Sequence, residues 1–215
     1  MVKDSSLLRG SLFFLFFSMK TVLYIHGFAS AGSTGSAVQL RSHFYPLGVQ
    51  VLSPDVPVSP LAAISFLREY VGEHRPDLIV ATSMGAMYAE QLRGVPRILV
   101  NPSFHMARLL TFRGHMGRQE FRNKREDGAV DFRVDKTMIA EFREVEKGNF
   151  LDITPEEKSL VWGLFGNKDR SVNCQEEFRT HYGASHFSVF EGEHYLNGAV
   201  LSKVIIPLAE EILGL

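Results

Sequence analysis

The sequence predicts an α/β fold in which a mostly parallel central sheet is covered by helices on both faces. Three observations carry that expectation. Short apolar runs without polar alternation recur at 21–25, 78–81, 97–100 and 159–165, as strands buried on both faces of a parallel sheet require. Segments with apolar residues at helical spacing separate them. The runs end in loops rich in glycine, serine, asparagine and aspartate, and sites in such sheets lie at the carboxyl ends of the strands.

Taken in order, the first run leads from Lys20 to Ile25 and into a polar loop that opens with His26, Gly27 and Phe28 and continues to Ser36. A rigid strand feeding a flexible polar loop builds sites. The spacing predicts a helix over 37–44, with Ser36 as N-cap and Pro46 and Gly48 closing it. A short strand over 49–52 follows, then an amphipathic helix over 59–73 with Leu61, Ile64, Phe66, Leu67, Tyr70 and Val71. The run beginning at Leu78 breaks at Ser83, after which Met84, Met87, Tyr88 and Leu92 fall at helix intervals until Gly94 and Pro96 stop them. The strand over 97–100 ends at Asn101 and Pro102.

From 103 to about 158 the rhythm breaks into a charged segment with arginines at 108, 113, 118, 122, 125 and 133 and little that reads as a core strand. A helix is expected over 137–145, with Met138, Ile139, Phe142 and Val145 along one side. The segment reads as a cap or lid over the sheet edge that shapes substrate access; a solvated insertion without a part in binding is the alternative. The sheet resumes at 159–165, a helix is expected over 176–182 closed by Gly183, and a last strand over 185–190 leads to the loop 191–198. A terminal amphipathic helix over 200–213 is expected to kink at Pro207.

At 215 residues the chain can bury one core, so 20–215 reads as a single domain with the excursion at about 103–158. Balanced charge, 23 basic against 24 acidic side chains, offers no electrostatic case for nucleic acid or an anionic membrane and favours a small-molecule substrate. One cysteine, Cys174, excludes an internal disulfide and fits a reducing, cytoplasmic compartment. Residues 1–19 carry a short run rich in phenylalanine behind Lys3 and Arg9. It is too short to span a bilayer and reads as an N-terminal extension from an upstream start, with an export signal as the alternative. No histidine pair has metal-ligand spacing, so neither metal nor cofactor is expected. Oligomeric state is not legible.

Ser83 stands in the pattern Ala81, Thr82, Ser83, Met84, Gly85, followed by Ala86. Small residues two before and two after a serine between strand and helix are what a nucleophile elbow needs, because strand and helix nearly touch around a strained backbone. The same serine also fits an ordinary helix N-cap. A nucleophile needs a base, and the base an orienting group. Asp169 lies in the loop after the 159–165 strand, and His194 in the loop after the last strand, so both project from the edge that carries Ser83. Asp169 as a turn former and His194 as a surface histidine are the plain alternatives. His26 reads as structural, hydrogen-bonding loop backbone, and His105 and His115 as surface residues of the excursion, with lining of a pocket as the alternative.

The residues Tyr24, Ile25, His26, Gly27 and Phe28, the elbow from Thr82 to Gly85, the loop from Gly166 to Asp169, and Gly192, Glu193 and His194 together resemble the small bacterial α/β-hydrolase esterases of the YqiA-like group. The resemblance implies the α/β-hydrolase fold, a serine carboxylesterase activity with Ser83, Asp169 and His194 as catalytic residues, and an oxyanion hole from the backbone N–H groups of Met84 and of Phe28 (or Ala29). The expected substrate is a small ester or thioester, without a cofactor. Carbon–carbon bond hydrolysis on the same three residues, or a non-catalytic binding protein on this scaffold, are the alternatives.

Overall fold

The computed structural model describes residues 19–215; the expected extension over 1–19, and with it the export-signal reading, lies outside the described residues apart from Met19. The first half alternates β1 (Thr21–Ile25), α1 (Gly35–Phe44), β2 (Gln50–Leu52), α2 (Pro60–His74), β3 (Leu78–Thr82), α3 (Met84–Glu90) and β4 (Arg97–Val100). The excursion holds α4 (Met106–Phe112), the strands β5 (Gly117–Glu120) and β6 (Asp131–Val134), α5 (Lys136–Glu146) and α6 (Pro155–Ser159). The chain closes with β7 (Val161–Gly166), α7 (Gln175–Tyr182), β8 (Phe187–Phe190), α8 (Gly198–Val200), a π turn over Leu201–Ile205, and α9 (Ile206–Leu213).

Among the described residues one parallel sheet runs in the order β2-β1-β3-β4-β7-β8. The chain steps outward from β1 to β2, then crosses back over β1 to β3 and continues the other way. That reversal lies between β1 and β3, and a crevice opens beyond the carboxyl ends of two strands whose connections diverge. The loops after Ile25 and Thr82 therefore flank it.

Both sheet faces are buried, which explains the missing alternation in the strand sequences. Val22, Tyr24, Leu78, Val80, Ile98 and Val100 pack with Leu40 of α1 and Ala209 of α9 on one side. Leu23, Ile25, Ile79, Ala81 and Leu99 pack with Leu67 of α2 and Met87 of α3 on the other. Each fully buried branched residue contributes about 1.5–3 kcal/mol against exposure.

Several boundaries differ from the sequence reading, each for a local reason. Helix α1 starts earlier because Thr34, not Ser36, caps it: its hydroxyl accepts the Ala37 N–H at 3.1 Å. Ser159 ends a helix instead of starting a strand, since Thr154 caps a helix start with Pro155 in its first turn, its hydroxyl accepting the Glu157 N–H. Helix α3 stops at Glu90, short of the predicted glycine and proline. The last strand begins at Phe187. The terminal helix is in three pieces, because Pro207 has no N–H for the Lys203 carbonyl and the preceding turn widens to a π turn.

The excursion holds more structure than the charge pattern suggests. Met106, Ala107 and Leu110 bury one side of α4, and Met138, Ile139, Phe142 and Val145 bury one side of α5; both join the core on the α2 and α3 side of the sheet. The antiparallel pair β5–β6 has no apolar run to announce it: Gly117 and Gln119 are half-buried while Arg118 and Glu120 are exposed. Among the described residues no helix is long and apolar enough to cross a membrane.

Candidate active site

The site begins with a backbone that resists relaxation. Ser83 adopts φ 54° and ψ −118°, a left-handed conformation that non-glycine residues avoid. Surrounding bonds hold it there: its N–H donates to the Val100 carbonyl at 3.0 Å, and its carbonyl accepts the N–H groups of Ala86 and Ser103, each at 3.1 Å. Gly85 makes the turn possible, because a Cβ there would lie 2.4 Å from the Ile25 carbonyl oxygen and 2.5 Å from that of His26. Ala81, by contrast, sits within β3 beside Ile25 and Leu99, where its methyl group is simply packed.

The Ser83 hydroxyl does not cap α3. It lies 2.9 Å from Nε2 of His194, whose Nδ1 lies 2.7 Å from Oδ2 of Asp169. The other carboxylate oxygen, Oδ1, accepts the backbone N–H groups of Ser171 at 2.7 Å and Val172 at 3.0 Å. Burial by itself would raise the Asp169 pKa, but the bonds from His194 and from these two N–H groups prevail and hold it below the ordinary carboxylate value. An ionised Asp169 accepts from Nδ1–H, which leaves Nε2 free to accept the Ser83 O–H. The three residues arrive from the ends of β3, β7 and β8.

Asn101 belongs to this arrangement and had no motif to mark it. Buried, and at φ 45° just past β4, it donates its amide to the carbonyls of Glu193 at 2.9 Å and His194 at 3.1 Å. Its side-chain oxygen accepts the Gly166 N–H at 2.7 Å. One side chain thus ties the end of β7 to the loop that carries the histidine.

His26 is buried beneath the loop after β1, with Nδ1 3.0 Å from the Gly27 carbonyl and Nε2 accepting the Val56 N–H at 3.1 Å. Burial lowers its pKa, so the ring is neutral and structural. Next to it Ala29 turns the chain with φ 55°, and the Phe28 ring stands edge-on to Phe132 of β6 at 5.3 Å. Met84 is the first residue of α3, so its N–H has no acceptor within the helix.

A cleft of about 450 Å³ opens over Ser83 and His194, walled by Phe28, Leu109, Leu110 and Leu201 among others. His115, half-buried, lines it, the alternative to the surface placement preferred from sequence, and stands edge-on to the Phe28 ring at 6.2 Å. His105 is exposed beside Glu177 of α7. Cys174 is buried, which pushes its thiol up to about 11. Among the described residues no group of three or more His, Cys, Asp or Glu side chains is arranged to hold a metal ion.

Comparison with known proteins places this architecture. Residues 21–200 match the Uncharacterised protein family (UPF0227). Ferulic acid-bound Est1E from Butyrivibrio proteoclasticus superposes with a TM-score of 0.65 at 15% identity, covering 91% of this chain and 88% of that one. A metagenome-derived structure from a report on the lipolytic enzymes LipS and LipT gives 0.63 at 16% identity over 92% and 95% of the two chains. Mouse alpha/beta hydrolase domain-containing protein 10 gives 0.59 at 15% identity over 90% of each. These likenesses establish the α/β-hydrolase fold.

Proposed function

The chain belongs to the uncharacterised protein family UPF0227, and from its α/β-hydrolase fold and the bonded series Ser83, His194, Asp169 we propose that it is a serine hydrolase of small carboxylic esters or thioesters. The observation that carries this reading is the pair of distances, 2.9 Å and 2.7 Å, that joins hydroxyl, imidazole and carboxylate. The solved neighbours described as lipolytic, or holding ferulic acid, support the ester class.

In this reading Nε2 of His194 takes the Ser83 proton as Oγ attacks the substrate carbonyl carbon. Asp169 holds the ring in the tautomer that accepts and stabilises the imidazolium that forms. The N–H groups of Met84 and Phe28 receive the oxyanion, a stabilisation of about 3–4 kcal/mol per donor. Collapse of the tetrahedral species expels the alcohol or thiol, which takes its proton from His194. Water then attacks the acyl-serine ester, with His194 again accepting the proton, and the carboxylic acid leaves with Ser83 restored.

Labelling by a fluorophosphonate, read by intact mass and peptide mapping, tests this without a known substrate. The expected result is one adduct, on Ser83, lost in both Ser83→Ala and His194→Ala. A folded protein that takes no label on Ser83 would overturn the assignment.

A further inference from the structure

The cleft is charged in a way that the Ser83 series does not require. Over the whole chain acids and bases balance, 24 against 23, yet the cleft walls hold Arg113, His115 and Arg122 and, among the described residues, no aspartate or glutamate. Other cations of the excursion, Arg108, Lys124, Arg133 and Arg143, also form no ion pair among the described residues, but none of them lines the cleft. Arg118 pairs with Asp131 and Arg125 with Asp127, while among the described residues neither Arg113 nor Arg122 pairs with any carboxylate.

Arg122 is placed rather than loose. Its backbone N–H donates to the Ala29 carbonyl at 2.9 Å, which fixes it to the loop after β1. Its guanidinium carbon lies 4.6 Å from the ring centre of Tyr195, the residue after His194. Stacking holds the plane of the guanidinium and leaves its N–H edge free. Arg113 donates once, to the Arg170 carbonyl at 2.9 Å, and keeps its other donors. Two unpaired guanidinium groups facing one cleft create a positive potential that low-dielectric walls focus, and their forked donors match a carboxylate or phosphate.

We propose that the substrate is an ester or thioester bearing an anionic group, carboxylate or phosphate, which Arg122 and Arg113 bind with His115 alongside. This inference rests on the serine-hydrolase reading and narrows it to anionic substrates.

The test uses the full chain and matched ester pairs. On the acyl side, the p-nitrophenyl monoester of succinic acid is compared with its methyl-capped analogue. On the alcohol side, the butyrate ester of 4-hydroxybenzoic acid is compared with that of 4-hydroxybenzamide. In at least one pair the anionic member is expected to have about tenfold higher kcat/KM, the equivalent of about 1.4 kcal/mol. Salt is expected to erode that preference. Arg122→Gln and Arg113→Gln are each expected to shrink the anionic-to-neutral ratio several-fold at an unchanged thermal midpoint, with Arg122→Lys retaining part of it. Binding of the succinate monoester to Ser83→Ala, measured by calorimetry against its capped analogue, gives the same comparison without turnover. A wild-type protein labelled on Ser83 that shows no anionic preference in either pair overturns the inference while leaving the hydrolase reading intact. A ratio that neither arginine variant moves overturns the assignment of the subsite. Failure of Ser83 to label overturns the hydrolase reading instead, and equal calorimetric binding of the two monoesters then removes the anion site as well.

Discussion

The sheet edge and the hairpin above it form opposite walls of one cleft and are held by different forces. Ser83, Asp169 and His194 stand at the ends of parallel strands whose ladders and two-sided burial fix the backbone before any side chain acts. The hairpin is two strands of four residues, a unit that is marginal in water by itself. It is fastened by scattered polar bonds: the Ser30 hydroxyl to Asn123 at 2.9 Å, the Ser33 hydroxyl to the Lys124 carbonyl at 2.5 Å, and Asp55 accepting the Glu126 N–H at 2.6 Å. Val134, buried in the core, and Phe132, packed on Phe28, supply its apolar anchors. Such a division gives the strand ends a more rigid backbone than the hairpin.

The largest expected effect breaks the edge chemically. Asp169→Asn should lower kcat/KM by about 10³–10⁴-fold, because the amide favours the wrong imidazole tautomer. A thermal midpoint within a few degrees of wild type would show that the loss is chemical. Gly85→Ala comes next, since its methyl group would meet two backbone oxygens that cannot move without the sheet; a loss of about 3 kcal/mol or failure to fold is expected in urea unfolding. Asn101→Ala removes three bonds at once and leaves the Gly166 N–H without its acceptor, for about 2 kcal/mol of stability and a fall in kcat larger than any change in KM.

Acid should reach the edge from below, through His26. Its folded pKa is lowered, so its stabilising share is complete above the unfolded value of about 6.5 and is lost as pH falls from there towards the folded value. Wild type should lose stability over that window at no more than about 1.4 kcal/mol per pH unit, and His26→Gln should flatten the slope. Asp169 has the same sign but acts lower, below the ordinary carboxylate range.

The smallest effect belongs to the hairpin. Asn123→Ala deletes one partly exposed bond and should cost about 0.5–1 kcal/mol, appearing in KM more than in kcat. A kcat loss as large as that of Asn101→Ala would erase the contrast between the two walls.

Much of this arrangement was legible in the chain. Apolar runs without alternation located the strands of the sheet, since burial on two faces leaves a direct mark on composition. Strand ends then aligned Ser83, Asp169 and His194, because a parallel sheet sends every carboxyl end to one edge. The hairpin left little mark: Gly117, Arg118, Gln119 and Glu120 contain no apolar residue to count, and β6 offers only Phe132 and Val134 between charged residues. The helix α4 did carry a signal in Met106, Ala107 and Leu110, obscured by the surrounding charges.

Sequence by itself therefore determined the layered α/β architecture and the edge on which its serine, aspartate and histidine meet, because both follow from local periodicity and from chain direction. Tertiary structure alone decided that Asn101 clamps the histidine loop, that His115 faces inward, and which arginines of the excursion lie unpaired in the cleft. Those outcomes depend on contacts between residues such as Arg122 and Tyr195, far apart in the chain, and only the folded packing brings such pairs together.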